Sequence, residues 1–208
     1  LDAIEQTHRV KLQSVLQHPE ILQKIEKQIH TELQGLRSFL TAIQIIKEIS
    51  PRSEDMIIGT GERLSAMLVA GMLQDQGIHA QYVNLSTIVD SSYSEIDVAF
   101  YQMLYKNFSQ ILPDTENMIP VVTGYFGFVP GGILENIGRG YTDLTSALMA
   151  AATHAQELQI WKEVDGIFTA DPRKVKNAQV LSMITPTEAA ELTFFGSEVL
   201  HPFTMEQA

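Results

Sequence analysis

The sequence predicts an α/β protein, three layers deep (α/β/α), with a mainly parallel central sheet and a helical segment in front of it. Three observations predict this. Residues 1–50 carry apolar side chains at helical spacing. After Ile49-Ser50-Pro51, short apolar runs alternate with longer amphipathic stretches, the pattern of strands joined by crossover helices. Glycine-rich turns follow the apolar runs, as at Gly59-Thr60-Gly61 and Thr123-Gly124-Tyr125-Phe126-Gly127. With 208 residues and 45% apolar content the chain can bury a full core. Two regions are expected: a helical segment, 1–50, and the α/β body, 51–208.

In the first region Leu22, Ile29, Leu36 and Ile43 recur every seven residues. Ile25, Phe39 and Ile46 form a second row, which Glu32 interrupts. These stripes predict two packed helices broken near His18-Pro19. A pair packed within the chain is preferred over an oligomer seam. Met56-Ile57-Ile58-Gly59 reads as a buried strand, and Glu62 to Gln76 as a helix stopped by Gly77. Ile78 to Val83 reads as the next strand. Asp97 to Ile111 reads as an amphipathic helix with Phe100, Leu104, Phe108 and Ile111 on one side. Ile119 to Thr123 is a strand entering a glycine-rich turn, Tyr141 to Ala155 an alanine-rich helix, and Leu158 to Trp161 a further strand. Thr185-Pro186-Thr187-Glu188 spells a helix start, with an N-cap, a first-turn proline and a glutamate at N3. Leu1 at the start, and a helix-like opening at His201 to Ala208, lead us to expect a piece cut at both ends.

Composition narrows the function. The net charge is −11, and residues 1–50 balance their acidic and basic side chains, so the whole excess lies in 51–208. An acidic body argues against DNA or RNA, whose phosphates need a basic face. It leaves room for a nucleotide, which needs only a few local donors. There is no cysteine, hence no disulfide framework and no thiolate metal site. No apolar run approaches the roughly 20 residues that span a bilayer, and no signal peptide is recognisable. A cytoplasmic enzyme that binds neither membrane nor nucleic acid is the expectation.

The densest chemistry lies in Trp161-Lys162-Glu163-Val164-Asp165-Gly166-Ile167-Phe168-Thr169-Ala170-Asp171-Pro172-Arg173. Asp165 or Asp171 can hold a metal or a ribose, Gly166 allows close backbone approach, and Arg173 can fork onto phosphate oxygens. A polar turn between strands is the bland alternative. Gly59-Thr60-Gly61-Glu62 is expected where a strand becomes a helix, offering N–H groups to an anion. There Glu62 either favours the helix dipole or takes a substrate ammonium. Gly124 and Gly127 either admit a phosphate beyond a strand's carboxyl end or make a tight turn. In Gly138-Arg139-Gly140-Tyr141-Thr142-Asp143, Arg139 can bind a carboxylate bidentately. Thr142 and Asp143 sit where capping is usual, and Asp143 can also bind an amino group. An arginine, a hydroxyl and a carboxylate this close suit an amino-acid zwitterion. The histidines show no metal spacing, and there is no G-x-S-x-G elbow.

Together these segments resemble the aspartate kinases of the amino-acid kinase family, the fungal enzymes especially. Gly138 to Asp143 is similar to the family's G-R-G-G-[ST]-D element, with Tyr141 in place of a glycine. Trp161 to Arg173 is similar to its nucleotide segment, and Phe195-Gly196-Ser197-Glu198-Val199-Leu200-His201-Pro202 to its F-G-x-x-V-L-H-P element. The resemblance covers residues 50–208 well and 1–50 loosely. It implies the amino-acid kinase fold and transfer of the ATP γ-phosphoryl group to the β-carboxylate of L-aspartate, with Mg2+, the first step towards threonine, methionine and often lysine. It implies that Glu62, Arg139, Thr142 and Asp143 hold aspartate, Arg139 and Asp143 being nearest the chemistry. It implies that Gly124, Trp161, Asp165, Phe168, Asp171 and Arg173 line the ATP site, and that the protein is a homo-oligomer. The family's K-F-G-G element and ACT domains are not in this sequence, and Glu198 stands where many bacterial members have lysine. The chain alone is therefore expected not to turn over. The rival readings are a glutamate 5-kinase-like or UMP kinase-like relative, and a non-catalytic binding module.

Overall fold

The computed structural model describes residues 1–89, 93–112, 117–136, 138 and 140–194. Helices α1 (Asp2–Val15) and α2 (Pro19–Ile46) form the expected pair, and the chain turns between them at Leu16 to His18. Pro19 opens α2, where its missing N–H costs nothing. The turn is clamped from below by Asp75. Its carboxylate accepts from Gln17 N at 3.0 Å, His18 N at 2.8 Å and His18 Nδ1 at 3.0 Å. These bonds hold the Asp75 carboxyl below its ordinary 3.8.

Helix α3 (Pro51–Asp75) corrects the sequence reading. Met56 to Gly59 is not a strand, and Gly59-Thr60-Gly61 does not open a helix; all lie inside one 25-residue helix. Its start is set by Ser50, whose hydroxyl accepts from Ser53 N at 3.2 Å, with Pro51 as the first helical residue. The apolar triplet Met56-Ile57-Ile58 is long enough to look like a strand and too short to decide against a cap six residues upstream. The expected stop holds. Gly77 adopts φ +77°, and Ile78 N donates back to Leu73 O at 3.0 Å. By length and composition α3 could cross a bilayer, but here it is a core helix. One face carries Leu64, Met67 and Gly71 against α1 and α2. The opposite face carries Asp55, Gly59 and Glu62, spaced 4 and 3 apart, against the turns at 124–133.

Strands β1 (Ala80–Val83) and β2 (Ile119–Val122) pair in parallel, Ala80 opposite Ile119 and Val83 opposite Val122. Helix α4 (Val98–Ile111) crosses between them, capped by Asp97, whose carboxylate accepts from Phe100 N at 2.9 Å. Its Phe100, Leu104 and Phe108 are buried as expected, packed with Phe126, Ile133, Leu144 and Leu148. Short α5 (Ile133–Asn136) precedes α6 (Tyr141–Ala152), the alanine-rich helix. Helix α7 (Pro186–Phe194) starts with the predicted capping box: Glu188 Oε2 accepts from Thr185 N at 2.9 Å, and Glu188 N donates to Thr185 Oγ1 at 3.3 Å. The strand expected at Leu158 to Trp161 is absent. That run has no ladder partner among the described residues, whose only sheet is β1–β2. Three apolar residues out of four favour an extended chain but make a strand only beside another edge.

Candidate active site

The parallel pair fixes where a site can form. Thr123 N continues the ladder to Val83 O at 3.2 Å, and the chain then leaves the sheet at Gly124, beyond the carboxyl end of β2. Thr123 Oγ1 ties this corner down, accepting from Leu85 N at 3.0 Å and donating to Tyr125 O at 2.9 Å. Thr145 Oγ1, one turn into α6, reaches Gly124 O at 2.6 Å. The first turn of α6 is thereby sewn to the end of β2.

Three residues chosen from the sequence meet at this corner. A Cβ on Gly124 would collide with Thr142 Oγ1 and lie 2.6 Å from Glu62 Oε2 and 2.7 Å from Thr142 Cγ2. Glu62 comes from the middle of α3, so it has no helix end to favour, and that alternative falls away. Tyr141 adds its hydroxyl, 3.5 Å from Glu62 Oε1. Burial, with the Glu62 charge adding to it, pushes the Tyr141 phenol up to about 12, so it stays a neutral donor near neutral pH. Gly124 was expected to serve the nucleotide, yet its neighbours Glu62 and Thr142 are both expected acceptor residues. No side chain caps α6, so Thr142 and Asp143 are not used as caps. Asp143 instead pairs with Lys162, Nζ to Oδ2 2.6 Å. Arg139 lies outside the described residues; Gly138 and Gly140 on either side adopt φ +74° and +88°, conformations glycine takes without penalty.

The segment expected to bind nucleotide folds on itself. Phe168 bridges Val180 antiparallel, with Thr169 N to Gln179 O and Leu181 N to Ile167 O both at 2.8 Å. Gly166 supplies φ +142° at the bend. Asp171 accepts from Arg173 N at 3.0 Å and Nε at 3.1 Å. That fork and its backbone bond hold the Asp171 carboxyl below its usual range. Asp165 is exposed, and Trp161 is 88% exposed. The structure thus joins Glu62, Gly124 and Thr142 around one corner, while Asp143, next to Thr142 on α6, pairs with Trp161's neighbour Lys162. Asp165, Phe168, Asp171 and Arg173 form a separate turn further along. Glu198 and the rest of Phe195 to Pro202 lie outside the described residues.

Sequence reading missed three contributors. Lys162 was inside the quoted run but given no role, since its partner is nineteen residues away. Asp55, just ahead of the run read as a strand, was given no role. It is buried and accepts from Ile133 N with both oxygens at 3.0 Å, and burial raises its carboxyl above the ordinary 3.8 against that bond. Thr145 was hidden in an alanine-rich run, though it lies three residues after Thr142 on the same helix face. A separate groove of about 670 Å³ opens between α2, the end of α3 and β1, lined by Lys24, Gln28, Gln74 and Tyr82. None of the expected site residues lines it.

A glutamate from α3, a glycine beyond the carboxyl end of a parallel strand and a hydroxyl from the following helix thus meet at the kind of place where open α/β sheets hold ligands. The chain belongs to the amino acid kinase family, whose model matches residues 6–208. It is similar to the aspartokinase of Candida albicans, 50% identical over 217 residues that take in 100% of this chain and 40% of that protein. The aspartokinase of Schizosaccharomyces pombe is 48% identical over 206 residues, 98% of this chain and 40% of that protein. Among solved structures, E. coli aspartokinase III in complex with aspartate and ADP superposes with a TM-score of 0.80 at 30% identity, covering 100% of this chain and 45% of that one. The chain therefore spans about two fifths of the length of the curated relatives it matches.

Proposed function

We propose that this chain is the acceptor-binding part, and a portion of the nucleotide-binding part, of an aspartate kinase that makes 4-phospho-L-aspartate from ATP and L-aspartate. The observation that carries the reading is the meeting of Glu62, Gly124 and Thr142 beyond the end of β2. The likeness to aspartokinases over the whole chain supports it. Glu62 and Asp143 take the substrate ammonium, Arg139 its α-carboxylate, and Thr142 and Tyr141 supply hydroxyls. Trp161 offers an open aromatic face to the nucleotide, with Asp165, Phe168, Asp171 and Arg173 behind it. Phosphoryl transfer asks chiefly for positioning and charge neutralisation, which suits a site built of fixed side chains on α3 and α6.

Among the described residues no group of three or more His, Asp or Glu could cage a metal. Mg2+ keeps its waters and takes one or two carboxylates alongside substrate phosphates, and the exposed Asp165 would be one of them. When bound, Mg2+ neutralises phosphate charge. A cytoplasmic location and a homo-oligomer belong to the same proposal. The test is aspartate-dependent ADP release by the full-length protein, with glutamate as the control, together with titration of L-aspartate into wild type and Arg139→Ala. Aspartate is expected to be the better acceptor, and Arg139→Ala to bind it about 2–5 kcal/mol more weakly. Equal use of glutamate, or unchanged affinity in Arg139→Ala, would overturn the reading.

A further inference from the structure

Lys162 belongs in sequence to the expected nucleotide segment and in space to Asp143, the neighbour of Thr142 on α6. Its Nζ sits 2.6 Å from Asp143 Oδ2, while Trp161 beside it is 88% exposed and the turn at 165–173 makes its own bonds. An ammonium already rests on the carboxylate that, in the reading above, receives the substrate's ammonium. The Asp143 side chain is only 14% exposed, which leaves little room for two cations.

We propose that Lys162 couples the two substrates: the ammonium of L-aspartate displaces Lys162 Nζ from Asp143, and the released Nζ turns to the phosphates of the nucleotide on its own segment. This inference rests on the aspartate kinase reading. Asp143 trades one ammonium for another, so its charge is compensated before and after the exchange. Lysine is suited to it, being a compact charge on a flexible four-carbon stem, and its side chain is 29% exposed, which leaves a path to swing. A cation that is engaged until aspartate arrives, and free for phosphate afterwards, makes each ligand raise the affinity for the other by the same factor.

The experiment is titration of L-aspartate into the full chain, with and without a saturating non-hydrolysable MgATP analogue, for wild type, Lys162→Met, Lys162→Gln and Lys162→Arg. In wild type the analogue should tighten aspartate binding within the usual coupling range of about 5–150-fold. In Lys162→Met and Lys162→Gln that factor should fall to about 1. Aspartate affinity without nucleotide should stay level or tighten, because its competitor is gone. Lys162→Arg should keep part of the coupling. If both neutral variants retain the wild-type factor, or wild type shows none, the inference is overturned while the function stands. If wild type binds no aspartate at all, the function fails and the inference with it.

Discussion

Glu62 and Gly124 touch across the gap between α3 and the end of β2: a single added carbon on Gly124 would lie 2.6 Å from Glu62 Oε2. No backbone strain enters, since Gly124 is not among the residues with positive φ. The glycine is required by what stands in front of it. Gly124→Ala should push Glu62 and Thr142 aside. Titration should show aspartate affinity falling at least tenfold, against a stability loss of about 1–3 kcal/mol for overpacking. Wild-type affinity in the alanine variant would show that this contact does not shape the pocket.

Gly59 and Gly61 make a paired test within one helix. A Cβ on Gly59 would lie 2.5 Å from the Tyr125 ring, whereas one on Gly61 meets nothing within 4 Å. Alanine gains up to about 1 kcal/mol over glycine in a helix interior. Gly61→Ala should therefore raise the urea midpoint. Gly59→Ala should lower it, because overpacking against a buried aromatic costs about 1–3 kcal/mol. Midpoints moving in the same direction would contradict the packing described.

The break that Glu32 makes in an apolar row has a partner. Arg63 Nε lies 2.6 Å from Glu32 Oε1, and Arg63 Nη2 donates to Thr60 Oγ1 at 2.9 Å. Glu32→Leu leaves the buried guanidinium uncompensated and should cost about 3 kcal/mol. The double variant Glu32→Leu/Arg63→Met should recover most of that loss. A double variant as unstable as the single one would refute the pairing argument.

Acid should loosen the helical pair through Asp75. Its folded carboxyl titrates below 3.8 because Gln17 N, His18 N and His18 Nδ1 bind the charged form; the unfolded carboxyl titrates near the ordinary value. The resulting stability is complete above about pH 4 and is lost as pH falls through the folded value. Asp75→Asn should be less stable than wild type at pH 7, and the gap should narrow below pH 4. Urea midpoints from pH 7 to pH 3 decide this; a constant gap would argue against it.

Much of the architecture was legible in the sequence because it rests on local signals. The break at His18-Pro19, the stop at Gly77, the α4 stripe and the capping box at Thr185 to Glu188 each depend on residues within a few positions. What was misread depended on distant partners. Met56 to Gly59 was read from its own apolarity, while the cap that makes it helix sits at Ser50. Leu158 to Trp161 had the composition of a strand without an edge to join. At the candidate site, Glu62, Thr142 and Asp143 were singled out by residue type, but the meeting of Glu62 with Thr142 needs the parallel register of β1 and β2. Lys162 was passed over because ion pairs between segments leave no spacing to read.

Helix α3 serves two masters. Ile25 of α2 presses on it at Gly71, its last residue Asp75 clamps the turn between α1 and α2, and two turns of its other face carry Asp55, Gly59 and Glu62. A rigid rod seated at one end aims at the other. Sequence drift in the two outer helices, to which none of the expected site residues belongs, is thus filtered through the placement of Glu62, and suppressors of a damaged Glu62 should be sought there as readily as at the end of β2.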